Sequence, residues 1–264
     1  EGLAILNDST IFIGNDNDYG QYSPLENGIA TATTNLSHVV RYRLQGSNKL
    51  TGFVPVTTTL STTGVTGPST SKTPYLTPAQ PGVLYTSLLT ATETVGGYKF
   101  CGLPDGMGAF DNGDGTFTAL INHEMGNAVG AVHAHGSMGA FVSKWIIRKS
   151  DFAVLSGSDL IQSVALWNPS TSSYITYSSS FPSASAAFNR FCSADLPEIS
   201  AFYNSATGMG TTARIFMNGE EAGNEGRAFG HVATGPNAGK SYELPYLGKF
   251  SWENSVASPK RSDT

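Results

Sequence analysis

Short apolar–polar alternations recur along the whole chain. "STIFIGND", "GTFTALINHE", "GAFVSKWIIRK", "DFAVLSG", "SVALWN", "SYITYSS", "ARIFMNGEE", "RAFGHVAT" and "SYELPYLGKFS" are rich in Val, Ile, Thr, Phe and Tyr. Gly, Asn, Asp and Pro bound them, which is the pattern of short β-strands between turns. "DNGDG" ahead of "TFTALI" and "RKSD" ahead of "FAVLSG" carry hairpin chemistry. No segment sustains helical periodicity with caps. The best helical candidate, "SAAFNRFCSADLPEISAFYNSAT", is interrupted by Pro197, so helix is expected only in short pieces near residues 185–205. The pattern predicts an all-β fold, a propeller or a sandwich.

Residues 55–75 break the pattern. "PVTTTLSTTGVTGPSTSKTPY" is dense in Thr, Ser, Gly and Pro and low in large apolar residues, the composition of a linker or extended arm. It separates a partial β segment, residues 1–54, from a larger body, residues 76–264. About fifty residues supply few strands and a marginal core. The sequence begins at Glu1 with neither Met nor a signal-peptide pattern, so a processed start or a portion of a longer protein is expected.

Composition narrows the partners. Charged residues are 13% of the 264, against about 25% in ordinary soluble domains. The net charge is −5, with no basic stripe of the kind that binds nucleic acid. No run of 18 or more apolar residues suggests a membrane span. Abundant Thr, Ser, Gly and Asn with scarce Lys lean toward a secreted or cell-surface setting. The two cysteines, Cys101 and Cys192, are compatible with a disulfide, with buried free thiols or with metal ligation.

In so uncharged a chain the acidic clusters are conspicuous. "LINHE" ends a strand with His123 and Glu124, and "FCSADLPE" holds Cys192, Asp195 and Glu198. "NGEEAGNEGR" holds Glu220, Glu221, Glu225 and Arg227, and "GKFSWEN" carries Glu253. Carboxylates converging at strand ends repel one another unless a cation offsets them. Oxygen ligands suit calcium, whereas a thiolate among them suits a transition metal. The competing reading is a set of solvated turns, the usual fate of Glu. His123, His133 and His135 lack the HExxH spacing of a zinc helix. Arg227 suits either a carboxylate partner or an anion.

Five segments resemble, in order, the PhoX-type alkaline phosphatase family. They are "LPDGMGAFDNGDGTFTALINHE", "AHGSMGAFVSKWIIRKSDFAVLSGSDLI", "RFCSADLP", "FMNGEEAGNEGRAFGHVATG" and "YELPYLGKFSWENSVASP", spanning about residues 98–264. The resemblance implies a secreted β-propeller phosphomonoesterase, incomplete in this chain, whose site joins iron and calcium through carboxylates and one cysteine. It places Cys192 as the iron ligand, Glu220 or Glu221 as the carboxylate of a Cys–Glu–Glu strand end, and Glu253 in a His–Glu pair. Glu124 falls in an early strand-end motif. Gly219 and Trp252 depart from the family's cysteine and histidine. The family's later acidic and arginine residues would lie past Thr264. The opening "EGLAILNDSTIFIGNDNDYG" resembles the end of the phytase-like esterase family, with Asn15–Gly20 as a candidate calcium loop or a plain turn.

Two functions are expected on these grounds. One is an extracellular metal-dependent phosphatase with Cys192, Glu220, Glu221, Glu253 and Glu124 toward the metal and Arg227 toward the phosphate ester. The alternative is a non-enzymatic surface or matrix protein, stabilised by calcium and assembled at a surface or with other parts of a longer chain.

Overall fold

The computed structural model describes residues 64–76, 83–177 and 186–258, residues 45, 47 and 49, and the backbone of three strands within the first 43 residues. The chain divides into two compact units, Glu1–Thr62 with Pro78–Val83, and Thr63–Thr77 with Leu84–Thr264. In the first unit β1 (Gly2–Asn7), β2 (Thr10–Gly14) and β3 (Val39–Arg43) form an antiparallel sheet in that order. The candidate loop Asn15–Gly20 lies outside the described residues.

The second unit is all-β. After the short strands β4 (Val65–Thr66), β5 (Thr86–Ser87), β6 (Thr94–Val95) and β7 (Tyr98–Lys99) comes an antiparallel meander. It runs β8 (Pro104–Asp111), β9 (Thr116–His123), β10 (Phe141–Arg148) and β11 (Val154–Asp159). The remaining strands are β12 (Ser163–Asn168), β13 (Ser173–Thr176), β14 (Phe191–Asp195), β15 (Tyr203–Asn204), β16 (Met209–Gly210), β17 (Ile215–Glu220), β18 (Ala228–Val232) and β19 (Lys240–Glu243). All except the β15–β16 hairpin join one sheet in the order β13-β12-β19-β18-β17-β14, with β12 and β19 parallel. None of these sheets closes on itself among the described residues.

Strand periodicity explains the packing. Side chains alternate between the two faces of a strand. In β9, Leu120 enters one core with Val142, Val164, Leu166, Phe191, Phe216 and Phe229, which joins the four-stranded sheet to the six-stranded one. Phe117, Ala119 and Ile121 face the other side, against Phe100, Trp145, Ile147 and Val154. The "DNGDG" turn forms as its chemistry requires. Gly113 and Gly115 take positive φ, and the Asp111 and Asp114 carboxylates accept from the amides of Gly113 and Thr116 at 2.7 and 2.9 Å.

Two expectations change. Residues 64–75, linker-like in composition, belong to the second unit. β4 pairs with β5, and the Glu93 carboxylate gathers the Ser71 amide (2.8 Å) and the Thr70 hydroxyl (3.0 Å). Led by the Ser71 amide, these bonds hold its pKa down to about 2. The segment satisfies its polar groups locally instead of burying apolar ones. The helical candidate near residues 185–205 is instead the strand β14, followed by a single 3₁₀ turn at Ile199–Ala201. Pairing of Phe191 with Glu220 and of Ala194 with Asn218 overrides its local preference.

Candidate metal centre

The site forms where strand ends and loops of the second unit meet. β14 carries Cys192 and pairs with β17, and the register slips between Phe191 and Ala194. This bulge leaves the Cys192 and Ser193 carbonyls outside the regular ladder. Asn122 of β9 supplies the missing donor: its Nδ2 reaches the Cys192 carbonyl at 2.5 Å and the Ser193 carbonyl at 3.3 Å. Asn122 Oδ1 accepts from Asn218 Nδ2 at 2.8 Å. Asn218 Oδ1 accepts from His231 Nε2 at 2.8 Å, and Ser241 Oγ donates to His231 Nδ1 at 2.5 Å. The chain of side chains is buried throughout. Burial pushes His231 down to about 3, so it is neutral, and its two partners fix the proton on Nε2.

Around the Cys192 thiol stand four carboxylates. Ligand atoms of Asp105, Glu124 and Cys192 lie within 4.8 Å of one another, as do those of Cys192, Glu221 and Glu253. The backbone holds them in place. Glu124 N donates to Leu103 O at 2.9 Å, Arg190 N to Met125 O at 2.9 Å, and Glu221 N to Arg190 O at 2.9 Å. Trp252 N donates to Glu220 O at 3.1 Å and Phe250 N to Gly226 O at 3.1 Å, which brings the Glu253 segment to the end of β17. Asp105 approaches because the next residue has no side chain: a Cβ on Gly106 would lie 2.3 Å from Ala194 N.

Within the cluster, Cys192 Sγ donates to Glu221 Oε2 at 2.9 Å and Ser193 Oγ to Glu253 Oε1 at 2.9 Å. Arg190 gives Nε and Nη2 to Glu124 Oε1 at 2.8 and 2.5 Å, and its Nη2 lies 2.7 Å from Glu221 Oε2. Burial raises the Asp105 pKa, and the charges of Glu124, Glu253 and Glu221 add to the rise. The Cys192 thiol is pushed well above its ordinary value by burial, then by its bond to Glu221 and the surrounding carboxylates. Burial leads both shifts, and the surrounding carboxylates add to each.

Cys192, Glu221, Glu253 and Glu124 are thus brought together, and Asp105 and Arg190 join them. Glu220 lies elsewhere. Adjacent strand residues face opposite ways, and its carboxylate is buried against Arg227, with Nε to Oε2 at 2.7 Å and Nη2 to Oε1 at 2.9 Å. Asn189 N adds a bond to Glu220 Oε1 at 3.0 Å. Burial alone would lower the Arg227 pKa, but the Glu220 carboxylate reverses this and raises it. The pair lines a separate cleft of about 430 Å³ with Trp167, Glu243 and Lys249. Asp195 accepts from Ala257 N at 3.0 Å, and Glu198 faces Arg214 at 3.5 Å.

Sequence reasoning passed over Asp105 and Arg190. Arg190 stands just ahead of β14 with a left-handed φ of 49°, so strand spacing does not place it beside Cys192, and Asp105 sits in a glycine-rich segment whose pattern does not announce a strand. Gly219 and Trp252, where the resembling family has Cys and His, are mutually adjusted: a Cβ on Gly219 would lie 2.4 Å from Trp252 Cβ, so the indole occupies the space that a residue-219 side chain would fill. Cys101 and Cys192 are both free thiols; the Cys101 carbonyl accepts from His123 Nδ1 at 2.5 Å. Compared with known proteins, the chain matches no family model, no curated protein and no solved structure.

Proposed function

We propose that this protein binds a cation through Cys192, Glu221, Glu253, Asp105 and Glu124 and uses it to hydrolyse phosphomonoesters in the manner of the PhoX-type phosphatases. The scaffold in this reading is a β-propeller of which the two packed sheets are neighbouring blades. The observation that carries it is the meeting of one thiol and four carboxylates, with a single guanidinium among them, at one surface point.

What supports the cation is that the donor atoms within each triad, Asp105–Glu124–Cys192 and Cys192–Glu221–Glu253, lie within 4.8 Å of one another, close enough to share an ion whose ligands stand about 2.4 Å away. The shared thiol favours a softer ion beside it, iron in the resembling family, while the carboxylates suit calcium. A bound cation would supply Lewis-acid stabilisation of charge on the phosphoryl oxygens. The chain's own residues do the positioning. Asn122 holds the Cys192 carbonyl, Ser193 Oγ orients Glu253, and the Glu220–Trp252 backbone bond fixes the strand end.

One observation favours the non-enzymatic alternative, a calcium-stabilised surface protein. Trp252 over Gly219 stands where the resembling family has a histidine and a cysteine, so this chain departs from the family's motif at both positions. Hydrolysis of p-nitrophenyl phosphate by the purified chain, with and without chelator, separates the two. Chelator-sensitive turnover that Glu221→Gln abolishes supports the enzyme. Cation uptake without turnover supports the alternative.

A further inference from the structure

We infer that the cleft beside the Glu220–Arg227 pair is a carbohydrate-binding site, which takes a neutral sugar ring against Trp167 and Tyr246 and its hydroxyls on Glu243, Asn127 and Asn189. The inference does not depend on the cation reading, since no residue of the Cys192 cluster lines this cleft.

Strand direction sets up the cleft. β12 and β19 run parallel, so Trp167 and Glu243 leave the sheet at the same edge. The Trp167 amide donates to Glu243 Oε2 at 2.9 Å, and the Tyr174 hydroxyl donates to the Glu243 carbonyl at 2.8 Å. Glu220 and Arg227 line the cleft as a buried ion pair, and the exposed pair Lys249–Glu225, 3.1 Å apart, lines it as well. The volume is about 430 Å³, within the range of about 300–1,000 Å³ typical of small-molecule sites.

The polar groups left over are of both kinds. Glu243 is only 8% exposed, yet its Oε1 has no hydrogen-bond partner among the described residues. A buried carboxylate oxygen without a donor costs free energy that a ligand hydroxyl would recover. Asn127, Asn189 and Trp167 also line the cleft, and the side-chain N–H groups of all three lack an acceptor among the described residues. The two ion pairs offset their own charges. A ligand ammonium would use only the acceptors here, and a phosphate only the donors. A hydroxyl both donates and accepts, so the adjacent hydroxyls of a sugar use the whole set.

Aromatic rings complete the match. Tyr246 is 90% exposed and sits on the 3₁₀ turn Pro245–Leu247, where the proline fixes the backbone. Its ring centre lies 5.9 Å from that of Trp167, which packs in turn on Tyr174 at 5.2 Å. A pyranose presents C–H groups on one face and hydroxyls at its edge. The C–H face covers an aromatic ring that is otherwise in water, while the edge reaches the amides and Glu243.

The test is calorimetric titration of the full chain, in EDTA, with cellobiose and cellotetraose, maltose and maltotetraose, and the corresponding N-acetylglucosamine dimer and tetramer. Sorbitol, orthophosphate and tetramethylammonium serve as comparisons. Wild type is set beside Trp167→Ala, Tyr246→Ala and Glu243→Gln. Tyr246→Ala removes a side chain that is almost wholly in solvent, so it guards against a folding defect. Glu243→Gln keeps an oxygen for the Trp167 amide and turns a donor into the cleft in place of the acceptor. The expected result is binding of at least one oligosaccharide series, about tenfold weaker in each variant, the scale of losing a principal contact. Sorbitol, which has hydroxyls but no ring face, should not bind. Equal affinity for both lengths supports a free or terminal sugar, and affinity that rises with length supports a longer glycan chain. The inference is overturned if no oligosaccharide binds, if binding is unchanged in Tyr246→Ala and Glu243→Gln, or if only orthophosphate or tetramethylammonium binds. Because EDTA strips any cation, the outcome stands whether or not the phosphatase reading holds.

Discussion

At the scale of single residues, the neighbours Glu220 and Glu221 have opposite fates. One is sealed against Arg227 and the other faces the Cys192 thiol. The sequence displayed them as an undivided acidic pair. Only the strand end at Glu220, and the face each residue takes, tells them apart. Substitution should separate their roles. Arg227→Met leaves the Glu220 carboxylate buried without its partner, which costs about 3–5 kcal/mol in comparable pairs. The double variant Arg227→Met with Glu220→Gln should recover most of that loss, as read by urea denaturation. Equal stability of the single variant and wild type would mean the ion pair contributes nothing to the fold. Glu221→Gln should leave stability within about 1 kcal/mol, because that carboxylate is partly exposed and already crowded by like charge.

At the scale of elements, the glycines of β8 explain both a missed strand and a found site. "PDGMGAFD" carries a proline and two glycines, residues depleted in strands, so its pattern does not announce β8. The same glycines admit β14: a Cβ on Gly106 would lie 2.3 Å from Ala194 N, and one on Gly108 2.5 Å from Leu196 Cβ. Close approach of these two segments sets Asp105 beside Cys192. Gly106→Val should therefore separate them, lowering stability by about 1–3 kcal/mol and weakening cation affinity together. A variant with full stability and full affinity would refute the close-approach account. Strands with apolar–polar alternation, such as β9 and β12, and apolar runs bounded by turn residues, such as β10, β17 and β18, were legible from the sequence alone. β14 was not, because its five residues make sense only once the bulge is seen against β17 and Asn122. Asn122→Ala leaves two bulge carbonyls without a donor and should cost about 1–3 kcal/mol, measured by the same denaturation.

At the scale of the whole molecule, buried neutral histidines set the acid limit of stability. Burial lowers His123 and His135 to about 4 and His231 to about 3. In the unfolded chain each protonates near pH 6.5. Between those values the unfolded state binds more protons, so stability is fully present above about pH 6.5 and falls as pH drops. Each histidine contributes a slope of about 1.4 kcal/mol per pH unit, or about 4 kcal/mol per unit for the three together. Denaturation midpoints should be level from pH 7 to 8 and drop steeply between pH 6 and 5. A flat profile down to pH 5 would contradict burial of these rings. His123 and His135 stood in the sequence as histidines without the spacing of a zinc helix, and His231 carried no ligand signal. Their burial, and their pairing with Ser143, Ser241 and main-chain carbonyls, depends on long-range contacts that no local pattern reveals.

The central claim is that Cys192 and its carboxylates hold a cation, and retained metal measures it most directly. The purified chain is exposed to calcium and ferrous iron, dialysed and analysed for metal content per chain, beside Cys192→Ser and Glu221→Gln. The account predicts at least one retained cation per wild-type chain and at least a tenfold loss of affinity in each variant, on the scale by which even outer-shell partners affect metal binding. A wild type that retains no metal, or variants that retain as much as wild type, would contradict it.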